Sequence, residues 1–367
     1  MASLTARAAK QLLAVLTYRT GFLGLWWRIW GRRRRQQALI VMYHRVLSPD
    51  AGLDLSTAGI VVSTSTFQRQ LELLVRLFQV VPLPVAAASD DPNLCAITFD
   101  DGWADNHAQA LPVLQRLGLT ATVFVTTGFI GSTRLFWPER LAYLLQTPGR
   151  RNLTSGALDG LRVPVSAALL AAARAPDLEL EGALDHLIEE LKPMEEDERE
   201  QLLELLAQTT GRDSGELTPP RLLDWRQVAE LERAGIEIGA HGVTHAILTR
   251  VDYSRAVAEI CESRTAVAHA LGTPPESFAY PNGDVTPELA QAVREAGYAR
   301  AVVADSPPPP GCPPAYGLRR KNLAEGTSRG IGGFSASVFA CEVLGFFDAF
   351  RRRSAGGGRG HRIRGAS

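Results

Sequence analysis

Residues 97 to 106 read ITFDDGWADN: an apolar run that stops on two adjacent carboxylates, Asp100 and Asp101, and turns at once on Gly102. Like charges this close disfavour each other's ionisation. Asp-Asp-Gly also suits a turn, because Asp tolerates unusual backbone angles and Gly supplies positive φ. The pair therefore carries chemistry only if a distant part of the chain gives the two acids different work. The run before it bears on the fold: CAITFD (95–100) reads as a buried strand, and strands and helices alternate on either side of it.

Upstream, ALIVMYHRV (38–46) is a second buried strand, ending at His44. The stretch 65–83 then predicts a helix capped by Ser65 or Thr66 and running through Leu77, followed by a strand over 80–83. Downstream come a helix in NHAQALPVLQRLGL (106–119) and a strand in ATVFVTT (121–127). From about 138 to 224 the pattern changes to Leu, Ala and Glu at helical spacing, a helical insertion whose acid run MEEDERE (194–200) reads as a solvated face or turn. The alternation then returns, with strands at 236–241, 277–281 and 299–304 separated by helices beginning near 224, 253 and 287. Parallel strands joined by crossover helices follow from this order. About seven strand–helix units are present, one fewer than a closed eightfold barrel needs. The Pro-rich SPPPPGCPP (306–314) is a rigid surface loop, and there is no internal repeat.

A chain of 367 residues with 46% hydrophobic content buries a large core, which excludes a disordered protein. Its zero formal charge hides an asymmetry. Residues 1–49 hold nine Lys/Arg and no acid, and residues 351–367 hold six Arg and no acid, so the middle is acidic. With no nucleic-acid motif present, basic ends on an acidic body point to anionic lipid and away from nucleic acid. Cys95, Cys261, Cys312 and Cys341 are scattered without CxxC spacing. They read as reduced, mostly buried small hydrophobes, which favours the cytoplasm. In the N-terminal segment, residues 1–36, Arg19 and Arg28 break the apolar stretch into runs too short to span a bilayer, and no cleavage site follows. Trp26, Trp27 and Trp30 beside Arg32–Arg35 suit a helix in the headgroup plane on the inner membrane face; a helix packed on the protein's own body is an equal reading, and an uncleaved signal anchor a third. VFACEVLGFFDAFRRR (338–353) either touches lipid as well or closes the barrel.

In α/β folds of this kind, chemistry sits at the carboxyl ends of the strands. That rule gathers His44, Asp100, Asp101, His241, Tyr280 and Pro281 onto one rim. HGVTH (241–245) adds two imidazoles four residues apart, a spacing at which both can share a helical turn and converge on one ion. Two neutral imidazoles and one carboxylate form a recurring hydrolytic metal site with positions left open.

TFDDG (98–102), HGVTH (241–245) and FAYPNG (278–283), in this order at these strand ends, resemble the first three motifs of the polysaccharide deacetylase family, also called NodB-homology or carbohydrate esterase family four. MYHRV (42–46), LTATVFVTTGFIG (119–131) and GYAR (297–300) strengthen the likeness, which covers roughly 38–325. The resemblance implies a distorted (β/α)7 barrel over 37–350 with the insertion at 138–224; the composition of 351–367 reads as a basic disordered tail. It implies that Asp101, His241 and His245 hold a divalent metal, commonly zinc, and that Asp100 is the general base toward a metal-activated water. An oxyanion would lean on the metal and on the backbone near Tyr280, Pro281 and Asn282. The implied reaction removes an N-acetyl group from an amino sugar in a polysaccharide or a lipid-linked glycan.

Two departures stand out. Ala279 occupies the place where many relatives carry an arginine that orients the base, so that support is absent or comes from elsewhere. YGLRRKNLAEG (316–326) has Arg319 and Arg320 where relatives offer a histidine acid; His44 is the substitute, with a local hydrogen-bonding role as its alternative. Trp103 and Trp137 either stack on a sugar or anchor loops, Trp225 is packing, and Asn282 contacts substrate or shapes the turn. Against the hydrolase stand a catalytically impaired glycan-binding member of the same fold and an O-acetyl esterase.

Overall fold

A computed structural model describes residues 4–32, 37–48, 59–154, 156–158, 163–176, 179–212 and 221–348. Arg33–Arg35 and the tail at 351–367 lie outside the described residues. The chain opens with α1 (Leu4–Arg19) and α2 (Phe22–Trp26), the latter extended by a π turn over Trp27–Gly31. Next come β1 (Leu39–Tyr43), β2 (Arg45–Leu47), β3 (Val61–Ser63), α3 (Thr64–Leu77), β4 (Gln79–Val80), α4 (Leu83–Ala87) and β5 (Leu94–Phe99). A π turn at Asn106–Ala110 leads into α5 (Leu111–Leu117) and β6 (Thr122–Val125). The insertion is α6 (Trp137–Leu145), α7 (Val163–Arg174), α8 (Leu180–Leu191) and α9 (Glu196–Thr210). The alternation resumes with α10 (Trp225–Arg233), β7 (Glu237–Ala240), α11 (Tyr253–Leu271), β8 (Ser277–Ala279), α12 (Pro287–Glu295), β9 (Arg300–Val302) and β10 (Lys321–Asn322), and α13 (Ala336–Val343) packs late in the chain.

The principal sheet runs β10-β1-β5-β6-β7-β8-β9, parallel throughout, with β4 alongside β5. Its ends meet through one stretch of chain. Leu318 exchanges backbone hydrogen bonds with Ala301 and Val303 beyond β9, while Lys321 and Asn322 pair with Val41 and Met42 of β1. Seven strands thus form the curled (β/α)7 sheet expected.

The central strands β1, β5, β6, β7 and β8 are buried on both faces, as parallel strands under crossover helices must be. Ile40, Ala96, Phe124, Ala279 and Val302 fill the interior, whereas Val41, Tyr43, Ile97, Phe99, Val123 and Ile238 face the helices. Gly239 makes room for this arrangement, since a Cβ there would stand 2.4 Å from the Phe124 ring. The insertion has a core of its own, built on Leu141, Leu144, Leu169, Leu187, Leu203 and Leu206. Its acid run starts α9, where Glu196, Asp197 and Glu198 meet the positive end of the helix dipole.

Three local expectations need correction. The cap of α3 is Ser63, whose side chain accepts from the Thr66 N–H, because the helix begins one residue before Ser65. The strand expected over 80–83 stops at Val80: Pro82 has no N–H for a ladder, and Leu83 opens a helix. Cys95 and Cys341 are buried, but Cys261 is exposed and Cys312 half-buried.

Candidate active site

The carboxyl ends of β1, β5, β7 and β8 bring the rim residues together around a cleft of ≈ 450 Å³ lined by His44, Asp100, Asp101, His241, His245 and Asn282. Phe136, and Glu139, Ile188 and Lys192 of the insertion, line it as well. Among the described residues, the only non-glycine positions with positive φ are Asp101 (75°), His245 (61°) and Asn282 (59°), all in this cleft. Backbone held in that region costs free energy and persists where the surroundings over-determine it. Here they do: the Asp100 N–H donates to the Tyr43 carbonyl, and the Gly102 carbonyl accepts from Leu223.

The two carboxylates face different partners. Asp101 Oδ1 lies 3.5 Å from His241 Nε2 and 3.3 Å from His245 Nε2. Two bonds of about 2.0–2.1 Å at a tetrahedral angle separate their donor atoms by about 3.3 Å, so these spacings fit ligands of one ion. One donor atom from each of the three residues falls within 4.8 Å of the others. His241 Nδ1 sits 2.7 Å from the Ala279 carbonyl, which can only accept. The neutral ring therefore carries its proton on Nδ1 and turns the Nε2 lone pair into the site, the orientation a metal-ligating histidine needs.

His241 and His245 do not share a helical turn. Residues 241–247 form a loop, and Glu259 shapes it: its carboxylate accepts from the backbone N–H groups of Val243 and Thr244 and from the Thr244 hydroxyl. Thr127 and Gly128 clamp the other side by donating to the Gly242 and Val243 carbonyls. A Cβ on Gly128 would meet the Val243 carbonyl oxygen at 2.6 Å, so this close approach requires glycine.

Trp103 is fully buried and donates its indole N–H to Asp101 Oδ2 at 2.9 Å, leaving Oδ1 for the imidazoles. Arg45 lies over the same ring and pairs with Asp105. Trp103 is therefore a positioning residue and not a sugar platform. Trp137 packs on the insertion's core under Arg199, and Trp225 packs on the barrel, as expected of it. For a divalent ion titrated into this donor set, Trp103→Phe should weaken binding by about 10-fold, since partners that orient a ligating carboxylate contribute on that scale. Competition with a chromogenic chelator measures it, and an unchanged affinity would deny the indole that part.

Asp100 has a separate partner. Arg320 donates Nη1 to Oδ1 and Nη2 to Oδ2, each at 2.6 Å, and reaches the Thr98 hydroxyl and the Val303 carbonyl as well. Burial pushes the Asp100 pKa up, but the Arg320 guanidinium outweighs it and holds the carboxyl below its ordinary range. Burial acts the same way on Asp101, and the facing imidazoles of His241 and His245 carry it well below. The support missing at Ala279 thus comes from Arg320, next to the stretch that joins β9 to β1.

His44 lines the cleft, its Nδ1 buried without a hydrogen-bond partner among the described residues, and burial lowers its pKa against the pull of Asp101 and Asp100. At the third motif, the Tyr280 N–H already donates to the Val302 carbonyl and its hydroxyl to the Tyr316 carbonyl, while Pro281 has no N–H to offer. Asn282 is the member of that trio which lines the cleft.

The sequence profile described as Polysaccharide deacetylase matches residues 87–163 and 186–301, more than half of the chain. The chain belongs to the polysaccharide deacetylase family. The break in that match, residues 164–185, falls within the insertion. A putative polysaccharide deacetylase, YxkH, from Bacillus subtilis is 40% identical over 50 residues, 14% of this chain and 18% of that protein's length. Two solved structures share the fold at a TM-score of 0.50 and 15% identity. The Streptococcus pyogenes deacetylase PplD in complex with acetate is matched over 84% of this chain and 98% of its own. A polysaccharide deacetylase from Bacillus cereus is matched over 84% and 69%.

Proposed function

We propose that this polysaccharide deacetylase is a metal-dependent hydrolase that removes N-acetyl groups from an amino sugar in a polysaccharide or lipid-linked glycan. One observation carries the reading: two adjacent carboxylates with separate partners, Asp101 facing His241 and His245, Asp100 gripped by Arg320. The donor set of two imidazole nitrogens and one carboxylate oxygen suits zinc. A divalent ion bound there would polarise the acetyl carbonyl and acidify water.

The chain's own residues then divide the work. Asp100, kept ionised by Arg320, takes a proton from the attacking water as its oxygen bonds to the acetyl carbon. When the C–N bond breaks, the nitrogen needs a proton, and the products are acetate and a free amine. His44 is assigned its delivery: its lowered pKa keeps the ring neutral at rest, so the proton it hands to the nitrogen is the one Asp100 has taken from the water, passed on through the ring. Asn282 is assigned to the substrate side of the cleft. A glycan-binding protein without turnover gains nothing from an arginine that holds a second carboxylate ionised beside the first.

The test is acetate release by the purified protein from chitooligosaccharide and from O-acetylated xylan, with metal content measured in parallel. Release from the amide substrate that disappears on chelation and returns with zinc is expected. Metal bound with no release from either substrate would favour the binder, and release from the ester alone an esterase.

A further inference from the structure

Among the described residues, nothing covers an apolar face of the N-terminal helices that the catalytic reading does not use. An amphipathic helix on a soluble body turns its apolar stripe inward and a polar one to water. Here the inward side is satisfied by Ala14, Thr17, Leu23, Trp26 and Trp27, with Trp26 edge-on to Phe346 and Trp27 edge-on to Phe78. Two of the three tryptophans assigned to a headgroup plane are thus packing residues.

A second apolar stripe points outward. Leu12 is 61% exposed, Leu16 55%, Leu25 54% and Trp30 50%, with Phe22 and Ile29 beside them at helical spacing. The exposed Arg19 and Arg28 stand among these residues and make no ion pair with any described residue. No acid occurs in residues 4–32, against five Lys/Arg, of which Lys10 alone pairs with a described carboxylate, that of Glu342. Large apolar side chains and unopposed cations exposed together on these helices are complementary to a bilayer of anionic lipid, whose acyl boundary takes the former and whose headgroups take the latter. A protein partner would need a matching acidic and apolar face; a second copy would set arginine against arginine. No helix among the described residues is long and apolar enough to cross a membrane, so contact is in the plane of the surface.

We infer that α1, α2 and the π turn after them form a docking face for the surface of an anionic bilayer, with Leu12, Leu16, Leu25 and Trp30 as the inserted groups. The assignment is independent of the metal site. Its test is sedimentation of the full chain with vesicles of phosphatidylcholine alone or mixed with phosphatidylglycerol. Expected is binding to the mixed vesicles that weakens with salt, and that falls by at least about 10-fold in Leu12→Gln/Leu16→Gln/Leu25→Gln/Trp30→Gln. Because these side chains are exposed, the melting temperature should hold. Arg19→Glu/Arg28→Glu provides a second variant that leaves the apolar groups in place, and it too should bind less. Wild-type protein that stays in the supernatant, or variants that sediment as it does, would overturn the inference. So would light scattering that shows a wild-type dimer and a monomeric quadruple variant, which would assign the face to a second copy.

Discussion

Asp100→Asn should lower the kcat of acetate release by about 1,000-fold while the protein still binds its metal, because a positioned general base contributes on that order. The substitution keeps the shape of the side chain and removes the atom's capacity to take a proton. Arg320 loses its anionic partner but keeps the Thr98 hydroxyl and Val303 carbonyl, so the variant should fold. Metal retention follows from geometry: the facing donors belong to Asp101, whose Oδ1 stands 3.5 and 3.3 Å from the two imidazole nitrogens, whereas the nearest ion-pair approach of Asp100 to His241 is 4.0 Å. Elemental analysis beside steady-state kinetics checks both halves. Equal turnover would remove Asp100 from the chemistry, and loss of metal would make it a ligand.

The residues of that experiment were legible because they lie where local pattern is strong. A parallel strand announces itself as an apolar run, and the acids and histidines that follow such runs fall on one rim by topology alone. The sequence alone places Asp100, Asp101 and His241 together. It does not place their supports. Arg320 lies 220 residues from Asp100, in a segment with no periodicity of its own, and reaches the site only because that segment joins β9 to β1. Two arginines where relatives carry a histidine were the one available signal. Glu259 sits within α11 and reads as an ordinary charged helical position, since nothing in its neighbours shows that it faces the histidine loop. The i, i+4 spacing of the histidines suggested a helix because spacing is the same on paper for a helical turn and for a loop closed by two glycines and a buried carboxylate. Trp103 reads equally as a sugar platform and as a loop anchor for the same reason, as composition carries no information on which way an indole N–H points.

Arg320→Met tests the least legible of these supports. The Asp100 carboxyl is 3% exposed, and removing its guanidinium leaves a buried anion without a counter-charge, a loss of about 3–5 kcal/mol in stability. Asp100 answers by holding its proton more tightly. With burial raising its pKa and Arg320 the largest influence lowering it, the variant's value must move up. The sign for catalysis follows: the base is protonated over a wider range, so the acid limb of the kcat/KM profile shifts to higher pH. At neutral pH kcat should drop by about 100-fold, the scale of a misplaced catalytic group. A double variant separates charge from packing. Asp100→Asn added to Arg320→Met removes the stranded anion, so the melting temperature should recover while activity stays lost. If Arg320→Met instead keeps the wild-type pH profile, the arginine holds the barrel's seam closed and leaves the base alone.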